Sequence, residues 1–327
     1  MASSCLWKGF SAAVLLGLVG VFTSGAVAQT YPTRPITLVV PFPPGGIADG
    51  TARVMEPALR AALGQPVVIE NRGGSGGNLG VAAVARADPD GYTLLMTPNS
   101  PIVQNPHMFK NYPIKPEKDL VPIAMIGEGY IGLVVQASSP INSVKDVIAA
   151  AKAKPGELTF GNIGVGSSHY FAGALLNKKA DINIIPVPFQ GAGPAMQNLL
   201  GGHISMSYGT LSGILPFVQS GQLKLLAVAE AKRVSYLPDV PTIAETVPGV
   251  ETSTWEGFFA PAGTPQPIID RLYEATKKAL ASPEVQQKLT HIGIVPKLSS
   301  PDELKRTVHE DLKFWRQAVD TAGLEPR

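Results

Sequence analysis

Cysteine is nearly absent from the sequence: Cys5 is the single one among 327 residues. It lies before an apolar stretch that we expect to be removed on export. The mature chain is therefore expected to have no thiol, no disulfide and no cysteine-based metal site. The five histidines show neither metal-ligand spacing nor a His-Glu-x-x-His motif. We therefore expect no metal site and no cofactor.

Charge is also sparse. Charged residues make up 16% of the chain and the formal net charge is +2, without a basic block or a basic stripe interleaved with aromatic residues. This pattern excludes a dedicated nucleic-acid-binding protein. Apolar runs long enough to cross a bilayer are missing beyond the N-terminal region. With 45% hydrophobic residues, the chain can form two ordinary cores, which favours two lobes.

The N-terminus has the organisation of a secretory signal. Lys8 gives a short positive region, residues 10–22 are apolar, and Ala26-Val27-Ala28 is a small-residue cleavage site. An uncleaved membrane anchor is the alternative, but Gly and Ser interrupt the stretch and it is short for a span. We therefore predict a signal peptide over residues 1–28, cleavage near Ala28 and export.

The rest of the chain is organised around Ile36–Asp49, which reads ITLVVPFPPGGIAD. Ile36–Val40 is a short apolar, β-branched run that predicts a strand buried on both faces. Three prolines end the strand, and Gly45 and Gly46 leave the backbone open to a ligand. Apolar residues spaced by three and four positions then predict a helix that ends at Gly64.

A helix N-terminus at this position favours an anion. No Lys or Arg lies between Ile36 and Ala52, so backbone amides would be the main donors, which suits a small carboxylate. The alternative is an ordinary strand-to-helix turn with Asp49 as a helix cap. Asp49 could also accept an ammonium group, but we favour a capping role with a pair to Arg53, one turn further on.

Alternating strands and helices predict parallel sheets with right-handed crossovers. Gly164–His169 repeats the strand-to-loop-to-helix pattern of the first site, whereas residues 105–118 are irregular. We predict a first lobe of residues 29–130 plus 253–327 and a second lobe of residues 131–252. Two such loops facing each other across a hinge would form a clamp for a solute.

Enzymatic alternatives have weaker support. Gly73–Gly77 satisfies the Gly-x-Ser-x-Gly nucleophile pattern, so an exported serine hydrolase using Ser75 is the competing hypothesis. His169 follows two serines, but neighbouring positions do not make a catalytic triad, and we expect it to support its loop. A dinucleotide loop at Gly164 fails because His169 occupies the third glycine position.

Many separate motifs, in order and over nearly the whole mature chain, resemble the Bug proteins, the periplasmic solute-binding components of tripartite tricarboxylate transporters. These motifs are PFPPGG at 41–46 with Asp49, ENR at 70–72, GGN at 76–78, DPDGY at 88–92, GVGS at 164–167 with His169, PFQG at 188–191, LLGG at 199–202, LPDVPT at 237–242 and FAPAGTP at 259–265.

The resemblance implies a two-lobed type II periplasmic-binding-protein fold of the α/β class that closes by a Venus-flytrap movement. The ligand would be a small carboxylate, aliphatic or aromatic and with a dicarboxylate favoured, held by backbone amides and bridging waters. No catalytic residue is implied. The implied ligand-binding residues are Phe42, Pro44, Gly45, Gly46, Ile47, Ala48, Asp49, Ser100, Gly164, Gly166, Ser167, Ser168, His169, Gln190, Gly191 and Thr210.

The implied partners are a small organic acid and the membrane permease subunits of the transporter, with the receptor itself a periplasmic monomer. Presentation of the ligand to a signalling partner is the alternative to transport. Two positions depart from the expected pattern. Asn162-Ile163 stands where smaller residues are expected, and Gly50 stands where a bulkier residue is expected, so both bear on the size of the pocket.

Overall fold

The computed structural model describes residues 31–164, 166–252 and 254–326. The predicted signal peptide, its cleavage site and Cys5 lie outside these residues. None of the helices within the described ranges combines the length and apolar character needed to cross a membrane.

Eleven strands and eleven α-helices form in the described part of the chain. The strands are β1 (Ile36–Val40), β2 (Val67–Asn71), β3 (Thr93–Pro98), β4 (Leu120–Gly129), β5 (Ile131–Gln136), β6 (Thr159–Asn162), β7 (Ile185–Pro188), β8 (Met206–Thr210), β9 (Leu223–Val228), β10 (Thr254–Pro261) and β11 (Ile294–Pro296). The helices are α1 (Ile47–Leu63), α2 (Asn78–Ala85), α3 (Asn105–Met108), α4 (Pro116–Asp119), α5 (Val144–Ala153), α6 (Ser168–Ala180), α7 (Ala192–Leu200), α8 (Leu211–Gln219), α9 (Gln266–Leu280), α10 (Pro283–His291) and α11 (Pro301–Ala322). Short turns of 3₁₀-helix cover Ser75–Gly77 and Ile243–Glu245, and a π-helix covers Ser100–Gln104.

The first sheet has the strand order β11-β4-β10-β3-β1-β2. β1 pairs in parallel with β2 and β3, as predicted. β10 was not predicted as a strand and runs antiparallel to both β3 and β4. The expectation of a parallel sheet is therefore wrong for the part of this sheet that contains β10. The chain comes back from the second sheet and enters β10 at the end of the first sheet where β3 and β4 finish, so β10 runs in the opposite direction to them.

The second sheet has the order β7-β6-β8-β5-β9. β6 is parallel to β7 and β8, whereas β5 is antiparallel to β8 and β9. The chain passes from one sheet to the other at Tyr130, between β4 and β5, and returns between β9 and β10. The exact lobe boundaries, and the movement of the lobes as separate bodies, stay predictions.

Two hydrophobic clusters surround the first sheet. One lies under α1, α9 and α10 on one face. The other continues from the opposite face into the second sheet and α6. The long α11 belongs to this second cluster, since Trp315 is fully buried and its ring centroid lies 4.8 Å from that of Phe171 in α6. Apolar burial of this kind makes α11 a structural link between the two sheets.

Helix boundaries follow local signals where these are strong. α11 begins with a capping box between Ser300 and Glu303 and ends at Gly323, which adopts the left-handed conformation. α1 begins earlier than the periodic apolar residues suggested and stops at Gly64, where φ is 75°. α10 was missed, and α7 begins at Ala192, directly after the PFQG motif.

Candidate functional site

The first loop, Phe42–Asp49, leads from β1 into the 17-residue helix α1. Gly46 is the N-cap and supplies no side-chain cap. The first N–H groups of a helix have no intrahelical acceptor. Among the described residues, the amides of Ile47 and Ala48 donate to no other backbone group. The loop therefore offers main-chain donors at the positive end of a helix dipole, as the sequence predicted.

Asp49 holds this loop in place. Its carboxylate is 3% exposed and accepts hydrogen bonds from the backbone N–H of Gly45 at 2.9 Å, Arg53 Nε at 2.9 Å and Asn71 Nδ2 at 3.0 Å. Burial favours its neutral form, but the hydrogen bonds from Arg53, Gly45 and Asn71 outweigh burial and lower the pKa of Asp49. The predicted pair with Arg53 is confirmed. Capping in the strict sense is not, because the N–H that Asp49 accepts belongs to the residue before the N-cap.

Asn71, at the end of β2, was missed as a site residue. Its Nδ2 donates both to Asp49 and to the carbonyl of Phe42, each at 3.0 Å. It thereby fixes both ends of the first loop. The motif ENR at 70–72 contains it, but the sequence gives no indication that its amide reaches back to a loop 29 residues earlier.

The second loop, Gly164–His169, leads from β6 into α6. Ser167 is the N-cap and its Oγ accepts the N–H of Tyr170 at 3.2 Å, while Asn162 Oδ1 accepts the N–H of Gly164 at 2.9 Å. Gly164 and Gly166 have φ values of 110° and 91°, which glycine adopts readily. The N–H of Ser167 donates to the carbonyl of Gly164 at 3.2 Å, which closes the turn before α6. The contact of Ser167 with a ligand stays a prediction.

The segment after β3 contacts both the glycine-rich turn at Gly76 and the second loop. Gln104 Nε2 donates to Ser168 Oγ at 2.6 Å, and Asn105 Nδ2 donates to the carbonyl of Gly76 at 2.9 Å. A Cβ on Gly166 would lie 3.1 Å from Asn105 Oδ1. These contacts bring the later part of the second loop, at Gly166 and Ser168, against the segment that follows β3 of the first sheet. Gln104 and Asn105 were missed, because a polar pair beside a predicted irregular segment carries no periodic signal.

Phe42 and Pro101, the residue after Ser100, lie on either side of Gly77. A Cβ on Gly77 would be 2.8 Å from Pro101 and 3.2 Å from the ring of Phe42, so these residues are packed together. Ser100 is the first residue of the π-helix and is half-buried. In contrast, Pro44 and Gly45 are exposed at the tip of the first loop.

The remaining predicted residues come from the second sheet. Thr210 ends β8 and is buried, and the next turn of chain approaches the first sheet, since a Cβ on Gly293 would collide with Ser212. The N–H of Phe189 donates to the carbonyl of Asn162 at 2.8 Å. This bond places the following residues, Gln190 and Gly191, beside the base of the second loop.

His169 is 5% exposed, and burial lowers its pKa to about 4. It is therefore neutral at ordinary pH. Ser75 has a φ of 49°, which a strained nucleophile turn would share, but it is exposed and lies four residues beyond β2. None of the hydrogen bonds found in the described ranges joins Ser75 to a histidine. The same ranges contain no group of three or more His, Cys, Asp or Glu side chains suited to a metal ion.

Residues 51–324 match the model of a family described as tripartite tricarboxylate transporter family receptor. The chain belongs to this receptor family. A curated relative within it, the protein BugT of Bordetella pertussis, is 36% identical over 317 residues, covering 94% of this chain and 97% of BugT. The resemblance to the Bug proteins is thus confirmed.

Solved structures agree with this receptor assignment. The periplasmic binding protein BugD superposes with a TM-score of 0.80 at 32% identity, covering 91% of this chain and all of BugD. An R. palustris protein solved with adipate gives 0.82 at 34% identity, with coverages of 91% and 100%. MatC from Rhodopseudomonas palustris, solved with bound malate, gives 0.79 at 33% identity, with coverages of 88% and 100%. The predicted α/β, two-lobed periplasmic-binding-protein fold is confirmed, while the individual ligand contacts stay predictions.

Proposed function

We propose that this receptor captures a small organic acid, a dicarboxylate, in the periplasm and delivers it to the permease subunits of a tripartite tricarboxylate transporter. The observation that carries the proposal is the N-terminus of α1, where Ile47 and Ala48 offer backbone N–H groups beside a buried, fully engaged Asp49. Related proteins solved with adipate and malate support the class of ligand.

In this proposal one carboxylate accepts hydrogen bonds from the first loop, and the ligand also contacts the second loop near Gly166 and His169. Phe42, Ser100, Gln190, Gly191 and Thr210 would surround it. A ligand that contacts both loops binds the closed arrangement better than an open one, and this difference in affinity drives closure. The receptor would act as a monomer and without a cofactor.

The proposed role requires no chemical step. A serine hydrolase using Ser75 would hydrolyse simple activated esters and lose that activity in Ser75→Ala. We expect neither the natural protein nor this variant to hydrolyse p-nitrophenyl acetate above the rate in buffer. Ester hydrolysis that disappears in Ser75→Ala would favour the enzyme instead.

The test of the site is Gly46→Val, measured by calorimetry with the acid that raises the thermal midpoint most in a screen of mono-, di- and tricarboxylates. Gly46 has φ −84° and ψ 174°, and a Cβ there would have Pro43 O, 3.9 Å away, as its nearest neighbour. Valine therefore fits the folded chain but covers the amides that a ligand would approach.

We expect Gly46→Val to weaken binding by about tenfold or more, equivalent to about 1.4 kcal/mol, with the thermal midpoint of the free protein little changed. The affinity of Gly46→Ala should lie between that of the natural protein and that of Gly46→Val. Unchanged affinity in both variants would contradict the assignment of this loop.

A further inference from the structure

Four buried polar atoms around the second loop lack a hydrogen-bond partner among the described residues. They are Gln104 Oε1, Asn162 Nδ2, His169 Nε2 and Tyr208 OH, and each side chain is at most 5% exposed. Folded proteins satisfy the large majority of their buried polar groups. Four unsatisfied atoms on elements that pack together therefore point to a group that binds among them.

The second sheet places Asn162 beside Tyr208. Its parallel strands β6 and β8 pair Phe160 with Met206 and Gly161 with Ser207, and one further step of this register would set Asn162 opposite Tyr208. The rings of Phe160 and Tyr208 meet edge to face, with centroids 5.6 Å apart, in one hydrophobic cluster. Because alternate residues of a strand face the same side, Asn162 faces that side as well.

Helix α6 packs on this side of the sheet, and the helix and strand repeats would set His169 near the level of Asn162. A Cβ on Gly173 would lie 2.4 Å from the ring of Phe160, which fixes the contact between helix and strand. His169 lies one helical turn before Gly173, a shift of about 6 Å along the axis. Asn162 lies two residues beyond Phe160, a shift of about 6.6 Å along the strand.

Gln104 completes the cluster from the first sheet. Its Nε2 reaches Ser168 Oγ, next to His169, at 2.6 Å, and its Oε1 is unsatisfied. All four side chains are uncharged at neutral pH, since burial lowers the pKa of His169 to about 4 and raises that of Tyr208. A group that is itself charged would be poorly balanced here, whereas a neutral group that both donates and accepts would be well matched.

We propose that this uncharged cluster of Gln104, Asn162, His169 and Tyr208 binds the hydroxyl group of a hydroxy acid, and so makes the receptor selective for hydroxylated over unsubstituted dicarboxylates. The inference rests on the proposed function above, in which the carboxylates are held by the two loops. The hydroxyl oxygen would accept a hydrogen bond from Asn162 Nδ2, and its proton would be donated to His169 Nε2. The Tyr208 hydroxyl and Gln104 Oε1 would be the other polar atoms around the hydroxyl group of the ligand.

The test uses calorimetry on the mature protein with pairs of acids that differ by one hydroxyl: succinate and malate, glutarate and 2-hydroxyglutarate, adipate and 3-hydroxyadipate. We expect the hydroxylated member of the best-bound pair to bind at least about tenfold more tightly. Tyr208→Phe keeps the ring and removes the hydroxyl. This variant should reduce the advantage to about threefold or less, with the affinity for the unsubstituted acid nearly unchanged.

Two further variants make the result specific. Asn162→Asp keeps Oδ1 as the acceptor for the N–H of Gly164 but replaces the donor that would face the hydroxyl, so it should also reduce the advantage. Tyr236→Phe is the control, because Tyr236 is a half-exposed tyrosine elsewhere on the second lobe. This variant should leave the advantage of the hydroxylated acid unchanged.

Equal affinity for both members of every pair in the natural protein would overturn the inference, and would mean that the cluster holds structural water. An advantage that persists in both Tyr208→Phe and Asn162→Asp would overturn it too. If no acid of any pair binds, the proposed function itself is contradicted and the inference falls with it. Failure of the inference alone is thus distinguishable from failure of the function.

Discussion

Gln104 donates its Nε2 hydrogen to Ser168 Oγ at 2.6 Å, and this buried bond joins the end of the π-helix after β3 to the first residue of α6. The two residues lie 64 positions apart, one in the π-helix that follows β3 of the first sheet and the other in the helix that follows β6 of the second. The bond therefore holds the second loop against the first sheet in the arrangement described, in which ligand would contact both loops.

Gln104→Ala is expected to lower the free energy of unfolding by about 1–3 kcal/mol, because it removes a fully buried side chain together with its hydrogen bond to Ser168. Urea unfolding followed by circular dichroism measures the change. Gln266→Ala is the matched control, since Gln266 Nε2 bonds Asp270 at 2.7 Å on an exposed surface. Its cost should stay within about 0.5 kcal/mol. Equal losses in the two variants would contradict the buried role of Gln104.

Phe171→Ala is expected to cost about 3–5 kcal/mol of stability, because Phe171 is fully buried against Trp315 and links α6 to α11. Thermal and urea unfolding both report the loss. Val68→Ala, which removes apolar atoms from a side chain that is 53% exposed, should cost no more than about 0.5 kcal/mol. A small loss for Phe171→Ala would mean that α11 does not stabilise the position of α6.

We predict that the ionised carboxylate of Asp49 makes the free energy of unfolding fall in acid. Its folded pKa is lowered from 3.8, so its contribution is present above this value and is lost as the pH falls through the folded pKa. Asp49→Asn should remove that part of the acid dependence and should loosen the first loop at neutral pH. The free energy of unfolding measured from pH 2.5 to 6 tests this. Parallel pH profiles for the two proteins would refute the role given to the ionised carboxylate.

We predict the opposite pH dependence for Glu256, whose contribution to stability is lost as the pH rises. Its side chain on β10 is 4% exposed, Oε2 has no partner among the described residues, and burial raises its pKa from 4.5 to about 8. The folded protein then binds a proton that the unfolded chain releases, so the contribution of Glu256 to the free energy of unfolding is greatest below pH 4.5 and falls as the pH rises towards 8. Glu256→Gln should flatten this slope and stabilise the protein at pH 7.5.

The control for Glu256→Gln is Glu274→Gln, an exposed residue on α9 whose loss should leave the slope unchanged. Glu230 contributes a slope of the same sign in every variant. Burial raises the pKa of Glu230 to about 9, and the negative charges of Glu128 and Glu251 add to this rise. The hydrogen bond from the N–H of Ile131 acts in the opposite direction and lowers the pKa. A slope that is identical with and without Glu256 would show that its carboxyl is already ionised in the folded protein.

Local signals in the sequence sufficed for much of the fold. Ile36–Val40 forms a strand as predicted, because a short apolar, β-branched run that ends at a proline leaves few alternatives. The end points of α11 match the proline, cap and glycine signals at its termini. β10 was missed because Gly257 and the proline at its end resemble a connection. Only the neighbouring strands, contributed by distant parts of the chain, make this segment a central strand.

The site was predictable in its main-chain part and not in its side-chain part. The proline and glycine residues of the first loop identify a strand-to-helix turn without reference to the rest of the protein. In contrast, the roles of Asn71, Gln104 and Tyr208 depend on register and packing between segments far apart in sequence. No periodicity within one segment records such contacts, so the sequence could not have revealed them.

The most direct test of the proposed binding mode is a crystal structure of the mature protein with the acid that stabilises it most. We predict that one carboxylate of that acid lies within hydrogen-bond distance of the backbone N–H groups of Ile47 and Ala48, with the rest of the ligand in contact with the second loop. A ligand held by an arginine or lysine side chain away from these loops would contradict the account.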